Sequence, residues 1–270
     1  MNSAKVILAG AGPGDPELIS VKALRYLKTA DVVLTDRLVS PELIKQNVSD
    51  LSKVIYVGKQ CSKGIHTAQK HINQLMVYYA KKGKTVLRLK GGDVSVFSNV
   101  LDELRVLKKN NISYEIIPGI SCSLGAAAYS AIPLTAREYS RGVRFLTLFK
   151  TSDITSELWK DWAQTSDTLV FYMSGQKLKY LVETLLFYNV NKDKQIAVIE
   201  QASTEFQNTK VYSFNDIESI QTSEFKYVPT LIIIGKVVAL HKEFAWKQEV
   251  VLPEVISYFD NHLKELQHAI

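Results

Sequence analysis

Three times in its first half the chain passes from a short apolar run into a glycine turn. Val6–Ala9 leads into Gly10-Ala11-Gly12-Pro13-Gly14-Asp15, Val86–Leu89 into Lys90-Gly91-Gly92-Asp93, and Tyr114–Ile117 into Pro118-Gly119. Each apolar run is short, reads as a buried strand, and is followed by a helix-like pattern. Strands alternating with helices predict an α/β protein with mostly parallel sheets. In such a sheet the turns at the strands' carboxyl ends lie side by side, and that is where ligands gather.

The helices between the strands have legible signals. Asp15-Pro16-Glu17 reads as a helix cap, an N1 proline and an acidic first turn. Leu18, Val21, Leu24 and Leu27 extend that helix at three-residue steps. Asp31–Thr35 reads as the second strand. Thr67 then caps a helix with Ile72, Leu75, Met76, Tyr79 and Ala80 on one face, ended by Gly83. Lys81, Lys82 and Lys84 flank that glycine, where cations suit a helix end. Val100, Leu101, Leu104 and Leu107 mark a further helix, and Ser121–Ala131 is rich in small residues and helical in character. Eleven of the 13 glycines lie at or before Gly142, so the composition changes there. We place a domain boundary in the polar, basic stretch Thr135–Gly142, giving domains 1–136 and 137–245 and an extension 246–270. The second domain has strand patterns at Arg144–Leu148, Thr168–Tyr172, Gln195–Ile199 and Thr230–Ile234, with a helix marked by Leu178, Leu181, Val182 and Leu185. Pro253–Leu266 reads as a final helix.

Composition excludes several classes. Cys61 and Cys122 are the only cysteines, too few for a disulfide framework or a four-cysteine metal site, and they fit reduced thiols in a cytoplasmic protein. No apolar run is long enough to span a membrane, and the N-terminus lacks the order of a secretory signal. The balance of 33 Lys and Arg against 27 Asp and Glu, a net +6, suits a polyanionic ligand without choosing one.

The first glycine turn is not a dinucleotide fingerprint. Its spacing is G-x-G-x-G, Pro13 removes an amide donor, and Asp15 puts a carboxylate where a pyrophosphate would lie. No Gly-Lys-Ser/Thr follows, so it is no P-loop either. On glycines alone it fits a tight βα connection, with or without a ligand. Gly91-Gly92 lets a ligand approach the backbone closely, and Asp93 can accept from a ribose hydroxyl or pair with an ammonium, which favours a nucleoside over a phosphate.

The stretch Val6-Ile7-Leu8-Ala9-Gly10-Ala11-Gly12-Pro13-Gly14-Asp15-Pro16-Glu17-Leu18 resembles the N-terminal signature of the tetrapyrrole methylases. Asp31-Val32-Val33-Leu34-Thr35-Asp36-Arg37-Leu38-Val39-Ser40 is similar to the uroporphyrinogen-III C-methyltransferase branch. So are Gly58-Lys59 with His66, Gln69, Ile72 and Asn73, then Arg88-Leu89-Lys90-Gly91-Gly92-Asp93, Pro118-Gly119-Ile120-Ser121 and Ala131-Ile132-Pro133-Leu134-Thr135. The ordered match continues to about Leu240.

The resemblance implies the two-domain tetrapyrrole methylase fold (class III methyltransferase) with the cofactor in the inter-domain cleft, usually as a homodimer. It implies S-adenosyl-L-methionine as methyl donor, S-adenosyl-L-homocysteine as product, and two methylations of uroporphyrinogen III, at carbons 2 and 7, to precorrin-2. That is an early step toward sirohaem and cobalamin. No metal, nucleic acid or membrane is expected. By resemblance Asp36 is the base and Lys59 the acid. Pro13, Gly91, Gly92, Asp93, Val96, Ser121, Cys122, Met173 and Ala202 bind the cofactor. An octacarboxylate substrate needs cations, and Arg37, Arg88, Lys90, Arg137 and Arg141, with Arg144, are candidates near the motifs. From the residues alone Asp36 could equally cap a helix or pair with Arg37, Lys59 could be a surface lysine, and Met173 core filler. The chain departs from the family in Val94–Glu103, where a Pro-Phe pair and a Gly-Arg-Gly-Gly turn are absent, and at Ala136 and Ala202-Ser203. Another precorrin methylase, or a degenerate cofactor- or tetrapyrrole-binding protein, stays open as an alternative.

Overall fold

The computed structural model describes residues 5–58, 68–148, 150–216, 228–247 and 257–259. By contacts it divides into two units, one reaching Cys122 and including Phe259, the other running from Ser123 to Tyr258. The compositional boundary at Thr135–Gly142 falls inside the second unit. No helix among the described residues is long and apolar enough to cross a membrane.

The first unit is a five-stranded parallel sheet. Its strands are β1 (Lys5–Gly10), β2 (Val32–Thr35), β3 (Lys53–Tyr56), β4 (Val86–Lys90) and β5 (Ser113–Ile117), in the order β3-β2-β4-β1-β5. All neighbours run parallel. The central strands β1, β2 and β4 are buried on both faces, which is why they read as continuous apolar runs. One face carries α1 (Val21–Thr29) and α2 (Pro41–Asn47) over Ile7, Ala9, Val33, Leu87 and Leu89. The other carries α3 (Gln69–Lys81) and α4 (Val100–Lys109) over Val6, Leu8, Leu34 and Val86.

Two helix starts differ from the sequence reading. Asp15 caps only a short 3-10 helix, Pro16–Leu18, after which Ile19 and Ser20 are extended. Ser20 then starts α1 by accepting from the Ala23 amide, so Val21 is 85% exposed instead of facing the core. Helix α3 begins after Ala68, and the expected Thr67 cap lies outside the described residues. Its Ile72, Met76 and Ala80 face the core as the periodicity requires. Gly83, at φ +78°, turns the chain out of it.

The second unit begins within α5 (Cys122–Tyr129) and contains β6 (Val143–Thr147), α6 (Ser156–Gln164), β7 (Thr168–Tyr172), α7 (Leu178–Phe187), β8 (Gln195–Glu200), β9 (Asn208–Ser213), β10 (Thr230–Gly235) and α8 (His241–Phe244). Its sheet order is β6-β7-β10-β8-β9, and here the expectation of mostly parallel strands is corrected. Only β6 and β7 are parallel; β10 runs antiparallel to both β7 and β8, and β8 antiparallel to β9. Strands β7, β8 and β10 are as deeply buried as those of the first sheet, so their apolar continuity reports burial and not direction. The core is built from Leu178, Leu181, Val182 and Leu185 of α7, Trp159 and Trp162 of α6, and the inner strands. The final helix expected over Pro253–Leu266 lies almost entirely outside the described residues.

Candidate active site

A parallel sheet puts all five strand carboxyl ends on one edge. There the three glycine turns of the first unit touch. Gly12 and Gly92 pair as an isolated antiparallel bridge, Gly12 N donating to Gly92 O at 3.2 Å and Gly92 N to Gly12 O at 2.7 Å. The third turn lies against them: a Cβ on Gly10 would stand 2.7 Å from the Gly119 Cα and 2.5 Å from the Gly92 carbonyl. Only backbone fits there. Gly91 packs as closely on the turn after β2, where its Cβ would stand 2.8 Å from the Leu38 carbonyl. Gly92 is different. It sits at φ +69°, and its Cβ would meet nothing nearer than the Cys122 amide nitrogen at 3.6 Å. The result is a bare backbone surface with open space over Gly92, bordered by the Cys122 amide.

Asp93 fastens this surface together. Its Oδ2 accepts from the Gly119 amide at 2.8 Å, and its Oδ1 accepts from the Ser95 amide at 2.7 Å and from the Ser95 hydroxyl. Burial raises its pKa, but the hydrogen bonds from Ser95, Gly119 and Val94 outweigh that and hold the carboxyl below the usual carboxylate range. The carboxylate thus ties the second turn to the third. Beyond it, Phe97 and Asn99 adopt left-handed backbone at φ 48° and 55°.

Asp36 follows β2 on the same edge, its amide bonded to the Leu89 carbonyl at 3.1 Å. It caps no helix: Ser40 does that for α2, accepting from the Leu43 amide. Asp36 Oδ1 accepts from Arg88 Nη2 at 2.6 Å. Its Oδ2 accepts from none of the described residues, and the side chain is 29% exposed.

Behind Asp36 lies a buried ion cluster that the sequence reading did not include. Arg88 Nε donates to Glu103 Oε1 at 3.0 Å, and its Nη1 to the Leu34 and Leu89 carbonyls at 3.3 and 3.1 Å. Lys90 Nζ donates to the same Glu103 oxygen at 2.9 Å, and Gln69 reaches it from α3 at 3.4 Å. Arg88, Lys90 and Glu103 are 2%, 3% and 0% exposed. Burial depresses the Lys90 ammonium, the neighbouring Arg88 charge adds to this, and Glu103 and Asp36 offset only part of it. Arg88 loses to burial but gains more from Asp36 and Glu103, so its guanidinium is held charged more firmly than usual. Arg88 and Lys90 therefore do not stand as open cations for substrate carboxylates; their charges are matched inside the protein. Glu103 had a signal in the sequence, since it sits three residues after Val100 and four before Leu107, on the apolar stripe of α4.

The other expected residues fall in several settings. Pro13 and Ser121 are buried beside the glycine surface, and Val96 and Cys122 are half-buried. Arg37 is half-buried, and Arg137 and Arg141 are exposed in the second unit. Arg144 is pinned to Asp161, Asp167 and Thr165, which fits a structural clamp. Met173 follows β7 at φ 52° and is 64% exposed, so it is not core filler. Ala202 is buried in the β8–β9 turn between Gln201 and Ser203, both at positive φ. Lys59 lies outside the described residues.

Residues 5–218 match the family model described as Tetrapyrrole (Corrin/Porphyrin) Methylases. The chain belongs to this family. It is 39% identical over 241 residues to a siroheme synthase of Vesicomyosocius okutanii, covering 89% of this chain and 51% of that protein. A siroheme synthase of Thioalkalivibrio sulfidiphilus is 40% identical, covering 90% and 50%. This tetrapyrrole methylase thus spans about half the length of the curated relatives it matches. A solved uroporphyrin-III C-methyltransferase from Thermus thermophilus, complexed with S-adenyl homocysteine, is 30% identical with a TM-score of 0.72, covering 87% of this chain and 99% of that one. A cobalt precorrin-4 methyltransferase shares the fold at a TM-score of 0.76 and 24% identity, covering 87% and 96%.

Proposed function

We propose that this tetrapyrrole methylase is an S-adenosyl-L-methionine-dependent C-methyltransferase that converts uroporphyrinogen III to precorrin-2. The observation that supports this reading most is the meeting, on one sheet edge, of a bare glycine surface and a carboxylate that Arg88 holds through a single oxygen, the other having no partner among the described residues. The residues fit the nucleoside donor. A side chain on Gly10 or Gly119 would break the surface, none fills the space over Gly92, and the cofactor-bound relative from Thermus thermophilus has the same fold.

S-adenosylmethionine, when bound, supplies an electrophilic methyl on a sulfonium. In the reaction a pyrrole carbon forms the new C–C bond as the C–S bond breaks, and the ring must then give up a proton. Asp36 is suited to that task. Arg88 fixes Oδ1, so the half-buried carboxylate is held in a set orientation and can take the proton without side-chain search. The turn that carries Asp36 packs on Gly91 through Leu38, so the base and the glycine surface are held as one piece. The acid role of Lys59, and cofactor contacts by Met173 and Ala202, rest on the family resemblance. Roles for Arg37, Arg137 and Arg141 toward substrate carboxylates rest on the sequence reading, and a homodimer in the cytoplasm is the expected setting.

Anaerobic incubation with uroporphyrinogen III and labelled S-adenosylmethionine tests the reading. Mono- and dimethylated products are expected. Asp36→Asn should lower kcat by about a hundredfold or more while S-adenosylhomocysteine affinity stays within about threefold. Cofactor binding with no methylated product would favour a binding protein, and full turnover of the Asp36→Asn protein would remove the assigned base.

A further inference from the structure

We infer that Glu103 is a positioning residue for the methyl transfer: it draws the Arg88 guanidinium away from Asp36, so that Asp36 is gripped through one oxygen only and remains a competent base. This rests on the assignment of Asp36 as base. Arg88 is a planar fork able to grip a carboxylate through two nitrogens. Here it is divided. Nη2 goes to Asp36 and Nε to Glu103, while Nη1 is anchored on the Leu34 and Leu89 carbonyls. The charged groups of the cluster are Arg88 and Lys90 from β4, Asp36 after β2 and Glu103 from α4, while α3 brings the neutral amides Gln69 and Asn73. Among the described residues two cations face two anions, so their charges balance.

Removing the Glu103 charge changes both geometry and charge. The guanidinium loses the partner of its Nε and is left with Asp36 as its sole anion among the described residues. With Nη1 still held by the Leu34 and Leu89 carbonyls, the freed Nε can join Nη2 on Asp36 and cover its second oxygen. A carboxylate paired that way accepts a proton less readily.

Glu103 is wholly buried, and Glu103→Leu alone leaves two buried cations against one anion, so that protein is expected to fold poorly. The paired variant Glu103→Leu with Lys90→Met removes the acceptor of Arg88 Nε, restores neutrality and keeps Arg88 and Asp36. For that variant we expect kcat to fall about tenfold or more, KM for uroporphyrinogen III and affinity for S-adenosylhomocysteine to stay within about threefold, and the acid-side half-maximum of kcat to move about one unit lower. Its crystal structure should show Arg88 on both Asp36 oxygens. Wild-type kcat and pH profile in the folded double variant, or an unchanged single contact in its crystal structure, would overturn the inference. Asp36→Asn, run beside it, separates the two ideas. If that protein turns over normally the base assignment has failed, whereas if it is inactive and the double variant is normal only the role of Glu103 has.

Discussion

The open space over Gly92 can be tested by one methyl group. At φ +69° an alanine pays about 1–2 kcal/mol for left-handed backbone, which lowers the unfolding midpoint by a few degrees. Its Cβ clashes with nothing, since the nearest atom is the Cys122 nitrogen at 3.6 Å, so Gly92→Ala should fold. The methyl would nonetheless stand in the space assigned to the donor. Crowding of that size costs about 1–3 kcal/mol, which is about 5- to 150-fold in affinity. Gly83→Ala is the matched control. Gly83 has φ +78° with nothing within 4 Å of its Cβ, and it lies at the other end of α3 from Gln69. Both variants should lose similar thermal stability. Titration calorimetry with S-adenosylhomocysteine should find the weakening in Gly92→Ala and wild-type affinity in Gly83→Ala. Equal affinity in all three proteins would refute the placement of the donor on Gly92. An equal loss in both variants would show that the effect runs through stability.

Two further outcomes are expected. Lys194 is buried at the end of α6, donating to the Trp162 and Ala163 carbonyls at 3.2 and 3.1 Å; burial first, then Arg144, lowers its pKa to about 8 from an ordinary 10.5. Between those values the unfolded chain holds more protons than the folded one, so this group makes stability rise with pH across that window, by about 3 kcal/mol in all. Urea unfolding followed by tryptophan fluorescence should show that rise in the wild type and not in Lys194→Met; parallel profiles would contradict it. Arg137→Ala with Arg141→Ala should raise KM for the octacarboxylate and flatten its dependence on salt, with kcat within about twofold. An unchanged KM would take both arginines out of the substrate site.

Much of the first unit was legible because its signals are local. A buried parallel strand must be apolar on both faces, and a tight turn at its end must be glycine, so β1 and β4 and their turns could be read directly. The run before Pro118-Gly119 also reads as a buried strand, but β5 is an edge strand with Tyr114 and Ile116 exposed and only Ile117 buried. Helices with weak local signals were not. The segments α2 and α6 are short, and Trp159 and Trp162 show their core role only once packed against α7. Strand β9 is polar and half-buried because it is an edge, so it lacks the apolar run that marked its neighbours. The direction of β10 was invisible, since a strand buried on both faces has the same composition whichever way it runs.

By itself the sequence determined where the backbone can come bare to the surface, which carboxylate follows β2, and which family the chain resembles. These are properties of residues in a row. Only the tertiary structure decided which charges are open and which are spent. Arg88 and Lys90 look like ligands for an anionic substrate until α4 lays Glu103 between them, and only the fold shows Asp93 tying Ser95 and Gly119 together. A charge acts on whatever lies within a few ångströms of it, and that neighbour is chosen by the packing of distant segments.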